Sequence, residues 1–167
     1  MPAGNEEDLA LSRRAAAGDS AAFAMLVGKY ELPVRSFLAR MGTRDPDDVA
    51  QEAFLKAWRF AGQYDGRARY STWLTRIAWR CRIDAARRHR ENDFEEEPRA
   101  TAPPSVEVAD MLARLGDGER AALVLCEGQG WTHQEAAELL GCPLGTLKST
   151  VARAKAKCRT MWSGEGS

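Results

Sequence analysis

Long apolar runs are what this sequence most plainly lacks. Runs such as Ala21 to Val27 and Ala121 to Cys126 fall far below the roughly 20 residues a bilayer-spanning helix needs. The first residues, MPAGNEEDLALSRR, show no basic stretch followed by an apolar one, so no secretory signal is expected. The expectation is a cytoplasmic protein with no membrane insertion of its own. Metal ligands are scarce too: there are four cysteines and two histidines. Cys81, Cys126, Cys142 and Cys158 lack the close pairs that zinc sites use, and only His89 and His133 could assist them. Disulfides are rare in the cytosol; Cys81 and Cys158 fall on apolar helix stripes and read as buried core thiols. No glycine-rich phosphate loop, nucleophile elbow or dinucleotide fingerprint occurs. His89 lies among arginines, His133 just inside a helix start, and neither has an evident nucleophile beside it. Asp47 and Asp48 stand at a helix start, where the helix dipole accounts for them. The chain is therefore expected to have no catalytic residue, no metal and no cofactor. Strand alternation and internal repeats are also missing, which makes the expected fold class all-α.

A net charge is lacking as well. Lys and Arg number 24 and Asp and Glu 24, which argues against a uniformly basic DNA-coating protein. The distribution says more than the sum. From Arg67 to Arg90 there are eight arginines against the single Asp84, whereas Asp93 to Asp110 carries Glu95, Glu96, Glu97 and Glu107 against Arg99. No acidic residue occurs from Pro143 to Trp162. One carboxylate cannot neutralise so many guanidinium groups, and phosphate is the natural counter-charge. A chain of 167 residues holds one medium domain or two small ones. The stretch from about Asn92 to Ser105, acidic and proline-rich, cannot bury a core and reads as a linker.

What is there is helical punctuation. Thr132 can cap a helix, with Glu135 three residues on completing a capping box and Trp131 and Ala136 placed as a hydrophobic staple. Ala136, Ala137, Leu139 and Leu140 give it an inward face. Gly141 can end that helix in the left-handed conformation, and Pro143 keeps Cys142 from continuing it. Leu147, Val151, Ala154 and Cys158 then form one apolar stripe. Thr146, Lys148, Ser149, Arg153, Lys155 and Lys157 fall on the other face. This is the layout of a helix-turn-helix, one helix bracing and the next entering the major groove. The alternative is a plain helical hairpin with a solvated basic face.

Towards the amino terminus, Glu6 to Ala17 reads as a short helix stopped at Gly18. Asp19 caps the next, which Pro33 is expected to kink or interrupt. Asp45 and Pro46 start a third helix. Val49, Ala53, Phe54, Ala57, Trp58 and Ala61 line its buried side; Asp48, Gln51, Glu52, Lys56 and Arg59 line the other. The glycine-rich GQYDGRARY reads as a loop. Ser71 is placed to cap a long helix to about His89, with Leu74, Ile77, Ala78, Cys81 and Ala85 inside. Arg80, Asp84 and Arg88 are spaced to bridge along its surface. Short helices are expected around Val108 to Leu115 and from Asp117 to Glu127.

The blocks DPDDVAQEAFLKAWR, YSTWLTRIAWRCRIDAARR and GWTHQEAAELLGCPLGTLKSTVARAK, with a linker before the last, resemble a bacterial RNA polymerase sigma factor. The similarity is to the small extracytoplasmic-function class, which keeps only the second and fourth conserved regions. It implies two small helical domains: a sigma region 2 bundle over residues 1–91 and a sigma region 4 helix-turn-helix over residues 107–167. An acidic, proline-rich flexible linker over residues 92–106 would join them. It implies that Asp48, Gln51, Glu52 and Lys56 dock on the clamp helices of the polymerase largest subunits. It further implies that Tyr64 to Arg88 recognises and melts the minus-ten element, flipping a base from the non-template strand. Candidates there are Tyr64, Arg67, Arg69, Tyr70, Trp73, Arg76, Trp79, Arg80, Arg87 and Arg88, the aromatics stacking on bases and the arginines tracking phosphate. Core packing is the alternative for the aromatic residues. For the minus-thirty-five element the candidates are Thr146, Lys148, Ser149 and Arg153. The pattern departs from many relatives at Arg80, where an asparagine is frequent, and at Thr150 and Ala152 in the reading helix. Expected partners are core RNA polymerase, promoter DNA and an anti-sigma factor, in a stress or envelope response. The rival functions are a helix-turn-helix regulator acting without polymerase and a pure protein-interaction module.

Overall fold

The computed structural model describes residues 3–92 and 105–164. Among them the regular structure is helical, with no strand. The helices are α1 (Ala3–Ala16), α2 (Ser20–Arg40), α3 (Pro46–Arg59), α4 (Tyr70–Asn92), α5 (Val106–Ala113), α6 (Asp117–Leu123), α7 (His133–Leu140) and α8 (Leu144–Gly164). A 3-10 turn, Ala61–Gln63, follows α3, and a π-helical turn, Val124–Gly128, follows α6. The chain divides into two compact units: α1, α3, α4 and most of α2 make the first, and α5 to α8 the second. Nearly all of the expected linker lies outside the described residues.

In the first unit α3 and α4 form the closest-packed pair, because their shared face is built from small side chains. Ala50, Ala53 and Ala57 on α3, and Ala78, Cys81 and Ala85 on α4, are all buried. Such faces let helix backbones approach closely. Leu26, Val34, Phe37 and Leu38 of α2 and Leu11 and Ala15 of α1 complete this core. Phe23 meets Trp58 edge-on at 5.0 Å, and Phe37 lies 6.5 Å from Trp79.

Pro33 does not interrupt α2, contrary to expectation: the helix runs unbroken from Ser20 to Arg40 with Pro33 on its exposed side. A proline inside a helix costs about 3 kcal/mol. Leu26 before it and Phe37 and Leu38 after it are each wholly buried, at about 1.5–3 kcal/mol per side chain. One continuous rod is what keeps both halves in the core. Helix starts differ from expectation in two places. Asp45 makes no side-chain cap bond at α3; its carboxylate lies 3.7 Å from His89 instead. Helix α4 begins at Tyr70, one residue before Ser71. Asp19 does cap α2, its Oδ1 accepting from the Ala22 amide at 3.1 Å.

The second unit follows its local signals closely. The Glu135 amide donates to Thr132 Oγ1 at 3.1 Å, and the Thr132 amide donates to Glu135 Oε2 at 2.9 Å. Gly141 ends α7 with φ of 65°, a left-handed backbone that glycine adopts without penalty. Trp131 and Ala136 are both buried. Leu147, Val151 and Ala154 point α8 into the core, against α6 and α7.

Candidate nucleic-acid interface

Helix α8 presents Thr146, Lys148, Ser149 and Arg153 on one exposed face, as expected. The structure sorts the cations of this helix. The Lys157 ammonium donates to both oxygens of Glu119 on α6 at 2.8 Å, and Arg153 Nε lies 3.7 Å from the same carboxylate. The hydrogen bond from Lys157 holds the Glu119 carboxyl below the usual range. Lys155 donates to Glu127 at 2.9 Å. Lys148 has no acidic partner among the described residues. Lys157 thus braces α8 on the half-buried Glu119, Arg153 makes a longer pair and Lys155 an exposed one, and Lys148 faces outward. The Ser149 and Thr150 hydroxyls both donate to the Thr146 carbonyl, at 2.9 and 2.8 Å.

In the first unit, the arginine-rich face spans the 61–69 segment and α4. Arg67, Arg69, Arg80, Arg87 and Arg88 are exposed, and Arg76 is half-buried. Arg67 Nε lies 3.4 Å from Asp65, and Arg87 lies 3.6 Å from Asp84. The expected bridge of Arg88 to Asp84 is not made. Arg88 reaches across to α3 instead and donates to Glu52 at 2.9 Å, while Asp84 lies 3.8 Å from Lys56. The partner of Arg88 is the nearest carboxylate on a neighbouring helix, which spacing along α4 cannot reveal.

The aromatic candidates divide in two. Tyr64 is 4% exposed and Tyr70 1%, so neither ring offers a face to a base, and the expectation of stacking there is corrected. Their centroids are 5.1 Å apart and perpendicular, and Trp73 lies 5.4 Å from each. Burial pushes the Tyr64 phenol up to about 12, with Asp8 and Asp65 adding to the effect; Tyr70 is raised by the same cause. Trp73 and Trp79 are half-buried, and Trp79 packs on Phe37. The Arg82 guanidinium stands over Trp79 at 5.2 Å. The rotation of α4 that makes Tyr70 a core residue could not be read from its sequence, because Tyr70 precedes the first full turn.

On α3, Asp48 and Gln51 are exposed, whereas Glu52 and Lys56 are half-buried towards α4. Lys56 lies 3.4 Å from Glu52, one turn away. Leu55 completes the outward row with Asp48, Gln51 and Arg59, and it is 65% exposed. Sequence reading passed over it, although an apolar side chain on a charged stripe was the available signal. A shallow surface lined by Glu52, Leu55, Lys56, Trp58 and Arg59 lies around it.

Comparison with known proteins bears on both ends of the chain. The family model for Sigma-70 region 2 matches residues 26–92, and that for Sigma-70 region 4 matches residues 105–158. The chain is 31% identical to the RNA polymerase sigma-H factor of Pseudomonas aeruginosa, over 90% of this chain and 91% of that one. It is 30% identical to the ECF RNA polymerase sigma-E factor of Haemophilus influenzae, over 89% of this chain and 91% of the relative. The chain belongs to the extracytoplasmic-function sigma factors. This sigma factor is also similar to the solved CnrH, determined in complex with the cytosolic domain of CnrY. The TM-score is 0.71 at 27% identity, covering 95% of this chain and 98% of that one. Its fold is shared with the sigma factor RpoE of Bartonella quintana, solved with the anti-sigma factor NepR, with a TM-score of 0.72 at 22% identity over 84% and 96% of the two chains. In the sigma factor the region 2 match starts inside α2, so α1 lies outside it. Among the described residues no helix is long and apolar enough to cross a membrane.

Proposed function

We propose that this sigma factor binds core RNA polymerase through the outer face of α3 and directs initiation by holding two promoter elements. Asp48, Gln51, Glu52 and Lys56, joined by Leu55, form the surface for the clamp helices of the largest subunits. Arg67, Arg69, Arg76, Arg80, Arg87 and Arg88 track the minus-ten phosphates, with Trp73 or Trp79 offering the base contact. Thr146, Lys148, Ser149 and Arg153 read the minus-thirty-five element. The chain forms no covalent bond; it supplies recognition and strand capture to a larger enzyme in the cytoplasm. The observation that carries this reading is the pairing of region 2 and region 4 matches on one chain. A helix-turn-helix regulator would have the second without the first.

Control by an anti-sigma factor belongs to the same proposal. It is supported by two similar solved proteins held in complexes, CnrH with the cytosolic domain of CnrY and the sigma factor RpoE with the anti-sigma factor NepR. A role in a stress or envelope response fits the class. Linking the two DNA contacts raises the effective concentration of the second once the first forms, and a protein that covers both faces would cancel that gain.

Reconstituted transcription tests the function. Purified chain with core enzyme should initiate at a cognate promoter selected from a random pool. Tight operator binding unaffected by core enzyme would replace this reading with that of a free regulator, and an absence of any DNA dependence would replace it with an interaction module.

A further inference from the structure

Helix α1 lies outside the matched region 2 segment, yet it grips the loop that leads into α4 at two points. Asn5 Nδ2 donates to the Gly66 carbonyl at 2.7 Å, and the Tyr64 hydroxyl donates to Asn5 Oδ1 at 2.5 Å. The Ser12 hydroxyl donates to the Ala61 carbonyl at 3.0 Å. Asn5 is 7% exposed and Ser12 is fully buried. Buried polar side chains are kept only where their hydrogen bonds are made. At the entrance Ser12 adds a second donor to the Ala61 carbonyl, which also accepts from the Tyr64 amide at 3.4 Å, and near the tip Asn5 meets the Gly66 carbonyl.

The grip is also steric. Gly66 has φ of +77°, and a Cβ there would lie 2.9 Å from Leu9 Cδ2 of α1. The loop backbone is therefore seated directly on α1. Asn5 connects onward through Tyr64, whose ring packs on Trp73. One small amide thus fixes the carbonyl beside Arg67 and, through one phenol, the ring of the half-exposed tryptophan.

We propose that α1 is the positioning element for minus-ten strand capture, with Asn5 and Ser12 as its positioning residues. They hold the 61–69 segment in the shape that presents Arg67, Arg69 and the open edge of Trp73 to single-stranded DNA. This rests on the assignment of that segment to minus-ten recognition under the proposed function. A loop already in its bound shape does not lose ordering entropy on binding. Neither Asn5 nor Ser12 touches the DNA; each acts through the loop.

The test is made on holoenzyme, with fork-junction DNA carrying the non-template minus-ten strand either intact or abasic at one position at a time. The ratio of the two affinities measures base capture, and simple loss of folded protein leaves it unchanged. Asn5→Ala should shrink the largest wild-type ratio about tenfold, the effect of losing one buried hydrogen-bond pair. Affinity for core enzyme and for an isolated minus-thirty-five duplex should stay the same. Ser12→Ala, which removes one bond with little change of volume, should shrink the ratio in the same direction by a smaller factor. Glu6→Ala, on the exposed side of α1, should leave it alone. Unchanged ratios in both Asn5→Ala and Ser12→Ala overturn the proposal, whether or not overall affinity drops. A wild-type holoenzyme indifferent to every abasic position would overturn the minus-ten assignment itself, a result readily told apart from the first.

Discussion

Replacing Lys148 by alanine separates groove contact from scaffold bracing on α8. Its ammonium is exposed and has no acidic partner among the described residues. Lys157, about two and a half turns along the same helix, has its ammonium 2.8 Å from both oxygens of Glu119. If Lys148 neutralises one phosphate, its loss removes about 0.9 from the slope of log affinity against log salt. Between about 50 and about 200 mM salt that slope change alone alters relative affinity roughly 3- to 4-fold. The assay is titration of holoenzyme onto a minus-thirty-five duplex at a series of salt concentrations. Lys148→Ala should flatten the slope by nearly one unit, while Lys157→Ala should leave the slope unchanged and lower thermal stability instead. Equal flattening by both variants would refute the sorting of cations by their carboxylate partners.

Three further outcomes follow from the same geometry. Leu55→Asp puts a charge on a side chain that is 65% exposed, so it should leave the melting temperature within a degree or two, as surface changes usually do, yet weaken binding to core enzyme in a pull-down or titration. Thr132→Ala removes the acceptor for the Glu135 amide and should destabilise the second unit by about 1 kcal/mol, read by chemical denaturation, with no effect on binding to core enzyme. Glu119 has its carboxyl held low by the Lys157 hydrogen bond; a depressed acid adds stability that is present above its unfolded value and lost as pH falls through the lowered folded value. Acid unfolding of wild type should therefore be steeper on the acid side of the ordinary glutamate range than that of Glu119→Gln, and parallel acid curves would count against that coupling.

The parts legible in the sequence are those whose physics is local. Thr132, Glu135 and Gly141 lie within one short segment and specify a helix with both ends defined, so the helix-turn-helix is legible from that segment alone. The apolar stripes of α3 and α4 were equally plain, because burial repeats with the helical period. Pro33 misled because the local rule costs less than the burial of Leu26, Phe37 and Leu38 that a continuous rod secures. Tyr64 and Tyr70 misled for the opposite reason. An aromatic in a loop among arginines looks like a stacking platform until the neighbouring chain is known, and here that neighbour is Asn5, 59 residues away from Tyr64. The bond from Arg88 to Glu52 spans 36 residues and lies equally beyond any reading along one helix. Contacts between elements decide which polar side chains remain available, and sequence patterns speak only for the elements themselves.

That distinction also accounts for the absence of net charge. A neutral chain has little long-range attraction for DNA, so its encounter rate gains little from electrostatic steering. Its attraction has to be local, and the carboxylates determine where. Glu119, with a side chain only 14% exposed, fixes Lys157 to the scaffold and so removes it from the proposed DNA-facing set. Asp65 and Asp84 hold Arg67 and Arg87 from exposed positions at 3.4 and 3.6 Å, and exposed pairs of this kind are worth about 0–1 kcal/mol. A phosphate can take over such an arginine at little cost. On the proposed function, such a surface would bind backbone firmly only where several of these exchanges happen together. A subunit carried to DNA by a larger enzyme needs that selectivity more than it needs an attraction of its own.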